Sequence, residues 1–341
     1  MKKNKLFTLS LVLGIILAFV IVFFPLPYYI TKPGMAQKLD PIIDVQGGTE
    51  EKGDFMLTTV RMGKATPLSY TLAHIQDFQE VFPEKDIRQE GESDKDYNYR
   101  QLHLMETSKQ SAIVVAYQKA NKQIEFHNKG VYIMSVVPKM PAEKVLKAGD
   151  RVHKVDGKAI ETADEFISFV SQKKKGDAVS ITYDRNGKMY TKSVKIQPFP
   201  GLKNKVGLGI TLITDRDITE TPKVKINTEQ IGGPSAGLMF SLEIYNQLVE
   251  EDTTHGYQIA GTGTINDEGI VGPIGGISQK IVAASDSGAE IFFAPAEGGR
   301  KDSNYNEAVK TAKKIDTKMK IIPVNTFDDA IAYLNKLKDK K

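Results

Sequence analysis

The chain has 341 residues, enough for two or three folded units. Hydrophobic residues make up 40% and charged residues 26%, as in ordinary globular proteins, and the net charge of +4 is spread along the chain, which gives no support for nucleic-acid binding. The absence of cysteine excludes disulfides and thiol nucleophiles, and none of the five histidines has metal-ligand spacing, so we expect no cofactor or metal. The chemistry must come from Ser, Thr, Lys, Asp or Glu.

An uncharged apolar run lies close to the start of the chain. Residues 6–24 carry no charge, and at about 1.5 Å per residue they extend about 28 Å, close to the thickness of a bilayer's hydrocarbon core. The run predicts a transmembrane anchor at residues 6–30, in contact with the lipid bilayer. A cleaved signal peptide is the alternative, but the exit PLPYYITKP lacks the small residues of a cleavage site. Three lysines precede the run, so the positive-inside rule predicts a cytoplasmic tail at residues 1–5 and places everything after about Tyr29 outside the cell membrane.

The next hundred residues show a mixed pattern. Residues 55–62 predict a strand, residues around 69–78 a helix, and the charged stretch 84–98 a loop or a solvated helix start. Residues 104–123 place apolar side chains at helical spacing, which predicts an amphipathic helix. That helix needs a partner to cover its apolar face, so this part of the chain belongs to a larger core.

Between about Ile124 and Gln197 the pattern changes to short strands around one helix at residues 163–172. The pair Asn186-Gly187 predicts a hairpin turn between the last two strands. The segment resembles a PDZ domain along its length, on the features GVYI (130–133), the run 142–150 before the next strand, and VDGK (155–158).

The PDZ resemblance implies a peptide-binding site, which it assigns to the loop and strand start formed by Gly130, Val131, Tyr132 and Ile133. An extended peptide would pair with the strand after Gly130, while backbone N–H groups of the loop receive its terminal carboxylate. Phe166 and Val170 would line the groove from the helix. Phe166 is equally well interpreted as an ordinary core residue.

A glycine-rich motif marks the first candidate catalytic residue. GGPSAG (232–237) cannot easily continue a strand, and helical spacing follows it, so Ser235 is predicted at a helix N-terminus, where free N–H groups favour negative charge. Ser235 as a simple N-cap is the alternative. The motif also fits G-x-S-x-G, but the only downstream histidine, His255, lies twenty residues on, too close for the order of elements in an α/β-hydrolase. A lysine kept neutral by burial can activate a serine instead.

The sequence offers such a lysine in PIGGISQKIVAA (273–284). If the helix begins after the glycines, Ile277, Ile281 and Ala284 form its apolar face and Lys280 lies on or beside that face. Lysine is seldom fully buried without a task. A lysine at the solvated edge that extends its ammonium to water is the alternative.

Together, IGGPSAG and PIGGISQK are similar to the two motifs of the Lon-type serine proteases, in the same order and 45 residues apart from Ser235 to Lys280. The resemblance implies that these two residues form a catalytic dyad. It extends back to residues 47–70 and 104–120, which resemble the opening of the Lon proteolytic fold. We therefore expect an α+β chain in which a PDZ-like β-rich domain is inserted into a Lon-type proteolytic domain, preceded by one transmembrane helix. The predicted borders are 35–121 and 199–341 for the two Lon-type segments and 122–198 for the PDZ domain.

Two departures from the Lon pattern concern the surroundings of the dyad. The family commonly has Asp before Gly-Pro-Ser, where this chain has Gly232. The family threonine that supports the lysine aligns with Ala260, with Thr262 or Thr264 as possible substitutes. Within these 341 residues there is no G-x-x-x-x-G-K-[ST] loop, so no nucleotide is expected.

The chain as a whole resembles the membrane-anchored PDZ–Lon peptidases. The resemblance implies an ATP-independent serine endopeptidase, outside the cell membrane, that cleaves exported peptides or extracytoplasmic segments of membrane proteins, its PDZ domain docking the substrate. The alternative is an inactive PDZ scaffold on a Lon-like domain, and the two departures near the dyad motivate it.

Overall fold

The computed structural model describes residues 2–88, 92, 94–199, 206–228 and 231–340. Its helices are α1 (Lys2–Phe23), α2 (Pro67–Ala73), α3 (Glu84–Ile87), α4 (Asp94–Lys119), α5 (Ala163–Ser171), α6 (Gly237–Leu248), α7 (Ile277–Asp286), α8 (Asn304–Lys314) and α9 (Phe327–Leu334). Its strands are β1 (Tyr28–Lys38), β2 (Ile43–Val45), β3 (Asp54–Lys64), β4 (Glu80–Pro83), β5 (Gln123–Val136), β6 (Arg151–Val155), β7 (Lys158–Ala159), β8 (Ala178–Arg185), β9 (Lys188–Lys195), β10 (Gln197–Pro198), β11 (Val206–Gly207), β12 (Ile210–Thr221), β13 (Val224–Ile226), β14 (Gln258–Gly261), β15 (Thr264–Ile265), β16 (Val271–Gly272), β17 (Ile291–Pro295) and β18 (Lys320–Val324).

The chain divides into two compact units, and the second interrupts the first. The first unit consists of Met1–Gln123 and Pro222–Lys341, and the second of Ile124–Thr221. Both units combine helices with β-sheet, so the predicted α+β class is confirmed. Strand β12 belongs to the second unit, whereas the predicted border left residues 199–221 with the Lon-type segment. The border moves to Thr221 because β12 forms its sheet with β5.

The first unit is built on a mixed sheet of order β18-β17-β14-β3-β1-β4. Strands β3, β14, β17 and β18 run parallel to one another, whereas β1 pairs antiparallel with β3 and β4. Helices α7 and α8 cover an apolar cluster that includes Met56, Ala260, Ile281 and Phe292. Helix α4, which begins ten residues earlier than the predicted start, packs against α6. The amphipathic helix thereby receives the partner that its apolar face requires.

The second unit is a sheet of order β12-β5-β6-β8-β9 with the short strand β7 on β6 and helix α5 beside it. The hairpin turn at Asn186-Gly187 is confirmed, since both residues have positive φ (53° and 77°), the conformation of a tight two-residue turn. Fourteen residues bury their side chains in the apolar cluster of this unit, Phe166 among them.

Helix α1 contains the apolar run noted in the sequence. Between residues 7 and 24 its large apolar side chains are exposed, Phe7 for example at 72%. Among the helices in the described part of the chain, none meets the length and apolarity that crossing a membrane requires. The transmembrane anchor stays a prediction.

Candidate active site

Ser235 lies just before α6, at the meeting point of α4, α6 and α7. The N-cap of α6 is Ala236, which has no side chain to cap the helix, so Ser235 is not the capping residue. Its hydroxyl instead accepts a hydrogen bond from Lys280 Nζ at 2.8 Å. The alternative interpretation of Ser235 as a simple N-cap is therefore wrong.

Lys280 lies in the first turn of α7, whose N-cap is Gly276 in the left-handed conformation (φ 70°). A side chain at Gly276 would also meet Val60, 2.8 Å from the added Cβ, so the glycine allows the helix to begin close to the sheet. Only 3% of Lys280 is exposed. Burial lowers the pKa of Lys280 from 10.5 to about 7, because the charged ammonium loses its hydration. The buried position was predicted, and the alternative of a solvated edge lysine is wrong.

A third side chain completes the contact set of the lysine. Lys280 Nζ also donates to Thr262 Oγ1 at 2.9 Å, and Thr262 in turn donates to the Ser235 carbonyl oxygen at 2.9 Å. The sequence left Thr262 and Thr264 as equal alternatives, and the structure selects Thr262, which follows β14 and is fully buried. Ala260 packs in the apolar cluster under α7. Thr262 therefore holds both members of the pair in register.

Replacing Thr262 by valine is expected to lower kcat for a peptide substrate by about 10–100-fold, because the amine loses a hydrogen bond that orients it toward Ser235, worth about 1.5–3 kcal/mol. Thr262→Ser keeps the hydroxyl and is expected to retain most of the activity. Thr264→Val, two residues on, is the comparison, since Thr264 lines the groove whereas Thr262 contacts Lys280. Equal losses in Thr262→Val and Thr264→Val would contradict the assigned role.

Two backbone amides are available next to the serine hydroxyl. Among the described residues, the N–H groups of Ser235 and Ala236 find no hydrogen-bond acceptor, and they lie at the N-terminal end of α6. The helix dipole adds positive potential at this point. The geometry suits a developing oxyanion on a carbonyl attacked by Ser235.

A groove of about 600 Å³ opens beside the pair. Ser235 and Lys280 line it together with Thr264 and the glycines of both motifs, and its walls carry the apolar side chains of Met35, Leu57, Val60, Met62, Met105 and Ile231. A groove with apolar walls and one reactive edge can hold an extended peptide with apolar side chains beside the scissile bond.

The glycine that replaces the family aspartate has a steric reason. A Cβ at Gly232 would lie 2.9 Å from Gln101 Cβ on α4. The backbone N–H of Gly233 also donates a hydrogen bond to the Gln101 carbonyl oxygen, at 2.9 Å. Helix α4 therefore occupies the space that an aspartate side chain would need, and it holds the loop in its place. Ser108 adds a second contact, from its hydroxyl to the Pro234 carbonyl oxygen at 3.0 Å.

The predicted peptide-binding strand is wrong. Strand β5, which contains Gly130, Val131, Tyr132 and Ile133, has β6 on one side and β12 on the other, so no edge is left for an added peptide. Val131 and Ile133 are fully buried, and Phe166 packs in the apolar cluster, which supports its interpretation as a core residue. Backbone pairing thus excludes β-augmentation at β5.

The open edge of this sheet next to the helix is β12, which contacts α5. Leu208 and Gly209 lead directly into it, and Gly209 has a φ of 82°. The sequence signal for this turn is the repeated glycine in VGLGITLI (206–213). A turn of this kind before an edge strand is what capture of a terminal carboxylate requires.

Comparison with known families agrees with both resemblances. The profile of the Lon protease (S16) C-terminal proteolytic domain matches residues 221–336, and that of the PDZ domain matches residues 105–196. The Lon protease of Metamycoplasma arthritidis is 33% identical over 111 residues, which are 33% of this chain and 12% of that protein. The Lon protease of Mycoplasma mobile is 26% identical over 225 residues, 55% of this chain and 26% of that protein.

The serine protease Do-like HtrA of Bacillus subtilis is 44% identical over 71 residues, 20% of this chain and 16% of that protein. The matches to these three relatives thus cover between about an eighth and a quarter of the relatives' own lengths. The relatives share individual domains with this chain. The chain contains a PDZ domain and a Lon-type serine protease domain.

Proposed function

We propose that this chain, a PDZ domain combined with a Lon-type serine protease domain, is a serine endopeptidase that works with a Ser235–Lys280 dyad and without ATP. Its substrates are exported peptides or extracytoplasmic segments of membrane proteins. The observation that carries the proposal is the buried Lys280 amine at 2.8 Å from the Ser235 hydroxyl. A lysine with a pKa of about 7 is neutral in a large fraction of molecules at physiological pH and can accept a proton.

The reaction follows from this contact. Lys280 Nζ, as a neutral amine, takes the proton from Ser235 Oγ while the oxygen attacks the scissile carbonyl carbon, and the carbonyl oxygen becomes an oxyanion. The Ser235 and Ala236 amides stabilise that oxyanion. The Lys280 ammonium then gives its proton to the leaving amine as the C–N bond breaks. Water, deprotonated by Lys280, attacks the acyl-enzyme, and the proton returns to Ser235 as the acid product leaves.

Thr262 supports this cycle in both protonation states of the Lys280 amine. Its hydroxyl accepts from the amine and donates to the Ser235 carbonyl oxygen, so the amine stays oriented toward Ser235 Oγ when it is neutral and when it is charged. Among the described residues, no carboxylate lies in hydrogen-bond contact with Lys280 Nζ to stabilise the charge. An unpaired ammonium in a dry site returns its proton readily, which suits a base that must act twice per turnover.

The inactive scaffold is the competing function. Two departures from the Lon pattern favoured it, Ala260 in place of the family threonine and Gly232 in place of the family aspartate. The contact of Thr262 with Lys280 accounts for the first, and the steric fit of Gly232 against Gln101 accounts for the second. A serine-directed active-site probe separates the two functions: the peptidase is expected to label at Ser235 in one-to-one stoichiometry at mildly alkaline pH. Absence of labelling in a folded chain would favour the scaffold. The assay contains no nucleotide, in keeping with the missing phosphate-binding loop in these 341 residues.

We further propose that residues 6–30 attach the protein to the cell membrane, with the short tail at residues 1–5 in the cytoplasm. The uncharged run 6–24 and the exposed apolar side chains of α1 support this. The proposal predicts that the full chain stays in the membrane fraction after carbonate washing and that added protease reaches everything beyond Tyr29 from the outside. Recovery of the full chain in the wash would contradict it.

Substrate docking is assigned to the edge of β12 beside α5. Replacing the second unit, 124–221, by a short Gly/Ser bridge is expected to spare the cleavage of small unstructured peptides and to reduce the cleavage of a folded or tailed protein substrate by at least about tenfold. The deletion must include residues 210–221, because β12 would otherwise lose its partner β5. Equal loss toward both substrates would indicate a structural role, and no loss toward either would exclude docking.

A further inference from the structure

Two glutamates that the proposed reaction does not use lie together at α6, the helix that follows Ser235. Glu243 is on α6, two turns beyond Ser235, and is fully buried. Glu51 comes from the segment before β3 and is half-buried, with its carboxyl in contact with that of Glu243. Glu51 Oε1, Glu51 Oε2 and Glu243 Oε2 are buried, and no N–H or O–H group of the described residues donates to them.

Two amides flank the pair, and the backbone fixes the orientation of each. Asn246 Oδ1 accepts from the N–H and the hydroxyl of Thr253, both at 2.6 Å, so its amide nitrogen is the group left to face Glu51. Gln247 Oε1 accepts from Val45 N at 2.9 Å, and its nitrogen donates to Glu243 Oε1 at 2.5 Å and to the Ile43 carbonyl oxygen at 3.0 Å. Gln247 thus donates to Glu243, and Asn246 Nδ2 faces Glu51 without a hydrogen bond of ordinary geometry. An N–H group beside the pair repels a cation and suits a shared proton.

The surrounding charge points the same way. The charged groups that act on the pair are Asp40, from the turn before β2, and Asp252, from the loop after α6, and both are acidic. Lys52, the next residue after Glu51, directs its ammonium to Asp339 at 3.9 Å. Burial and the mutual repulsion of the carboxylates raise the pKa of Glu243 well above its usual value of 4.5, and burial raises that of Glu51. Two carboxyls in contact without a cation cannot both be ionised at low cost.

The segment that carries Glu51 is tied to the C-terminal end of α6 along its length. Thr49 donates from its hydroxyl to the carbonyl oxygens of Asn246 and Val249, at 3.1 and 2.9 Å, and from its N–H to that of Gln247 at 3.2 Å. Lys52 N donates to Asp252 at 3.0 Å. The carboxyl pair therefore sits in the seam between the helix that begins at the nucleophile and the segment that leads into β3.

We propose that Glu51 and Glu243 share one proton, with Glu243 as its carrier, and that this carboxyl pair fixes the position of α6 until rising pH ionises both groups and loosens the seam. Glu51 and Glu243 are positioning residues, since neither reaches the groove. The shared proton is independent of the proposed function; only its effect on turnover rests on it.

The sign of the stability effect follows from the raised pKa. Between 4.5, the usual value, and the raised value, the folded chain binds more protons than the unfolded chain, so the free energy of unfolding falls as pH rises. Lys280 adds no slope well below pH 7, because it is charged in both states there. The range from pH 5 to 6.5 therefore isolates the carboxyl pair.

The test uses the full chain with Glu243→Gln, Glu51→Gln and, as the matched control, Glu250→Gln at an exposed glutamate just beyond α6. From pH 5 to 6.5 the Tm of wild type and of the control is expected to fall by roughly 5 °C more than that of Glu243→Gln, in which no proton is shared. Infrared difference spectra at pH 6.5 should show the C=O band of a protonated carboxyl, absent in Glu243→Gln. If that variant does not fold, Glu51→Gln provides the same comparison.

A second measurement tests whether the carboxyl pair positions α6. The kcat of wild type is expected to fall above the pH at which both carboxyls ionise, and this fall should be absent in Glu243→Gln. Identical Tm slopes in wild type and Glu243→Gln, or an unchanged infrared band, would overturn the shared proton. A rise in Tm with calcium or magnesium that only Glu243→Gln loses would replace the proton by a bound cation and also overturn it. If Glu243→Gln loses the pH dependence of Tm but its kcat still falls at high pH as in wild type, the positioning role alone would be overturned.

Discussion

Ser235→Ala and Lys280→Met are each expected to lower kcat/KM for an unstructured peptide by at least about 10³-fold, with a double variant no worse than either single one. The losses are not additive because the two side chains act as one unit: without the amine the hydroxyl is not deprotonated, and without the hydroxyl the amine has nothing to activate. The measurement is the initial rate of peptide hydrolysis without nucleotide. The reaction is followed until the product exceeds the amount that one turnover per enzyme molecule would give.

Ser241→Ala is the matched control for the nucleophile, since Ser241 is a buried serine on α6, the helix that follows Ser235, and it donates to the Leu238 carbonyl oxygen. Lys280→Met carries its own control, because removing a buried amine whose pKa is lowered is expected to stabilise the fold by on the order of a few kcal/mol at neutral pH. A variant that is more stable and inactive separates catalysis from folding. Wild-type rates in either dyad variant would disprove the assignment.

The second large effect is on the acid side of the pH profile. Because Lys280 has a pKa of about 7, its amine is protonated at lower pH and cannot accept the Ser235 proton. We expect kcat/KM to rise about tenfold per pH unit up to pH 7 and to stay level above that until Glu51 and Glu243 both ionise, a gain of roughly 100-fold from pH 5 to pH 8.

The profile must be measured with a peptide that has no ionisable side chain, so that only the enzyme titrates. Thermal unfolding at each pH provides the control, since a folded chain at pH 5 shows that the lost rate is a matter of protonation. An apparent pKa close to 10.5, the ordinary value for lysine, would mean that the amine is solvated during turnover and would contradict the burial of Lys280.

The burial of Lys280 beside Ser235 could be predicted from the sequence because its evidence is local. Three apolar residues around Lys280 at helical spacing place the lysine on a buried face, and the glycines before Ser235 and Lys280 mark where each helix begins. Choosing between Thr262 and Thr264 required the path of the chain after β14, where the backbone of Gly263 is hydrogen-bonded to Ser235 and to Leu238. That path is set by packing against α6 and is not readable from propensity.

The peptide-binding strand shows a different limit. Local pattern identified β5 correctly as a strand, but whether a strand lies at an edge depends on which other strands pair with it. Its neighbour β12 begins more than seventy residues later, so the pairing is a long-range event. The steric reason for Gly232 was equally hidden, since Gln101 lies on the other side of the inserted unit in the sequence.

The contact of α4 with the nucleophile loop sets an order of events during synthesis. Gln101 and Ser108 leave the ribosome well before Gly233 and Pro234, and the whole of residues 124–221 must follow before the loop can reach them. Lys280 comes later still, with β17 and β18 after it to complete the sheet. A nascent chain therefore carries the α4 residues that hold the loop before it carries the loop itself, and Ser235 before Lys280. Under the proposed function, peptide-bond cleavage is withheld until Lys280 and the strands β17 and β18 have been added.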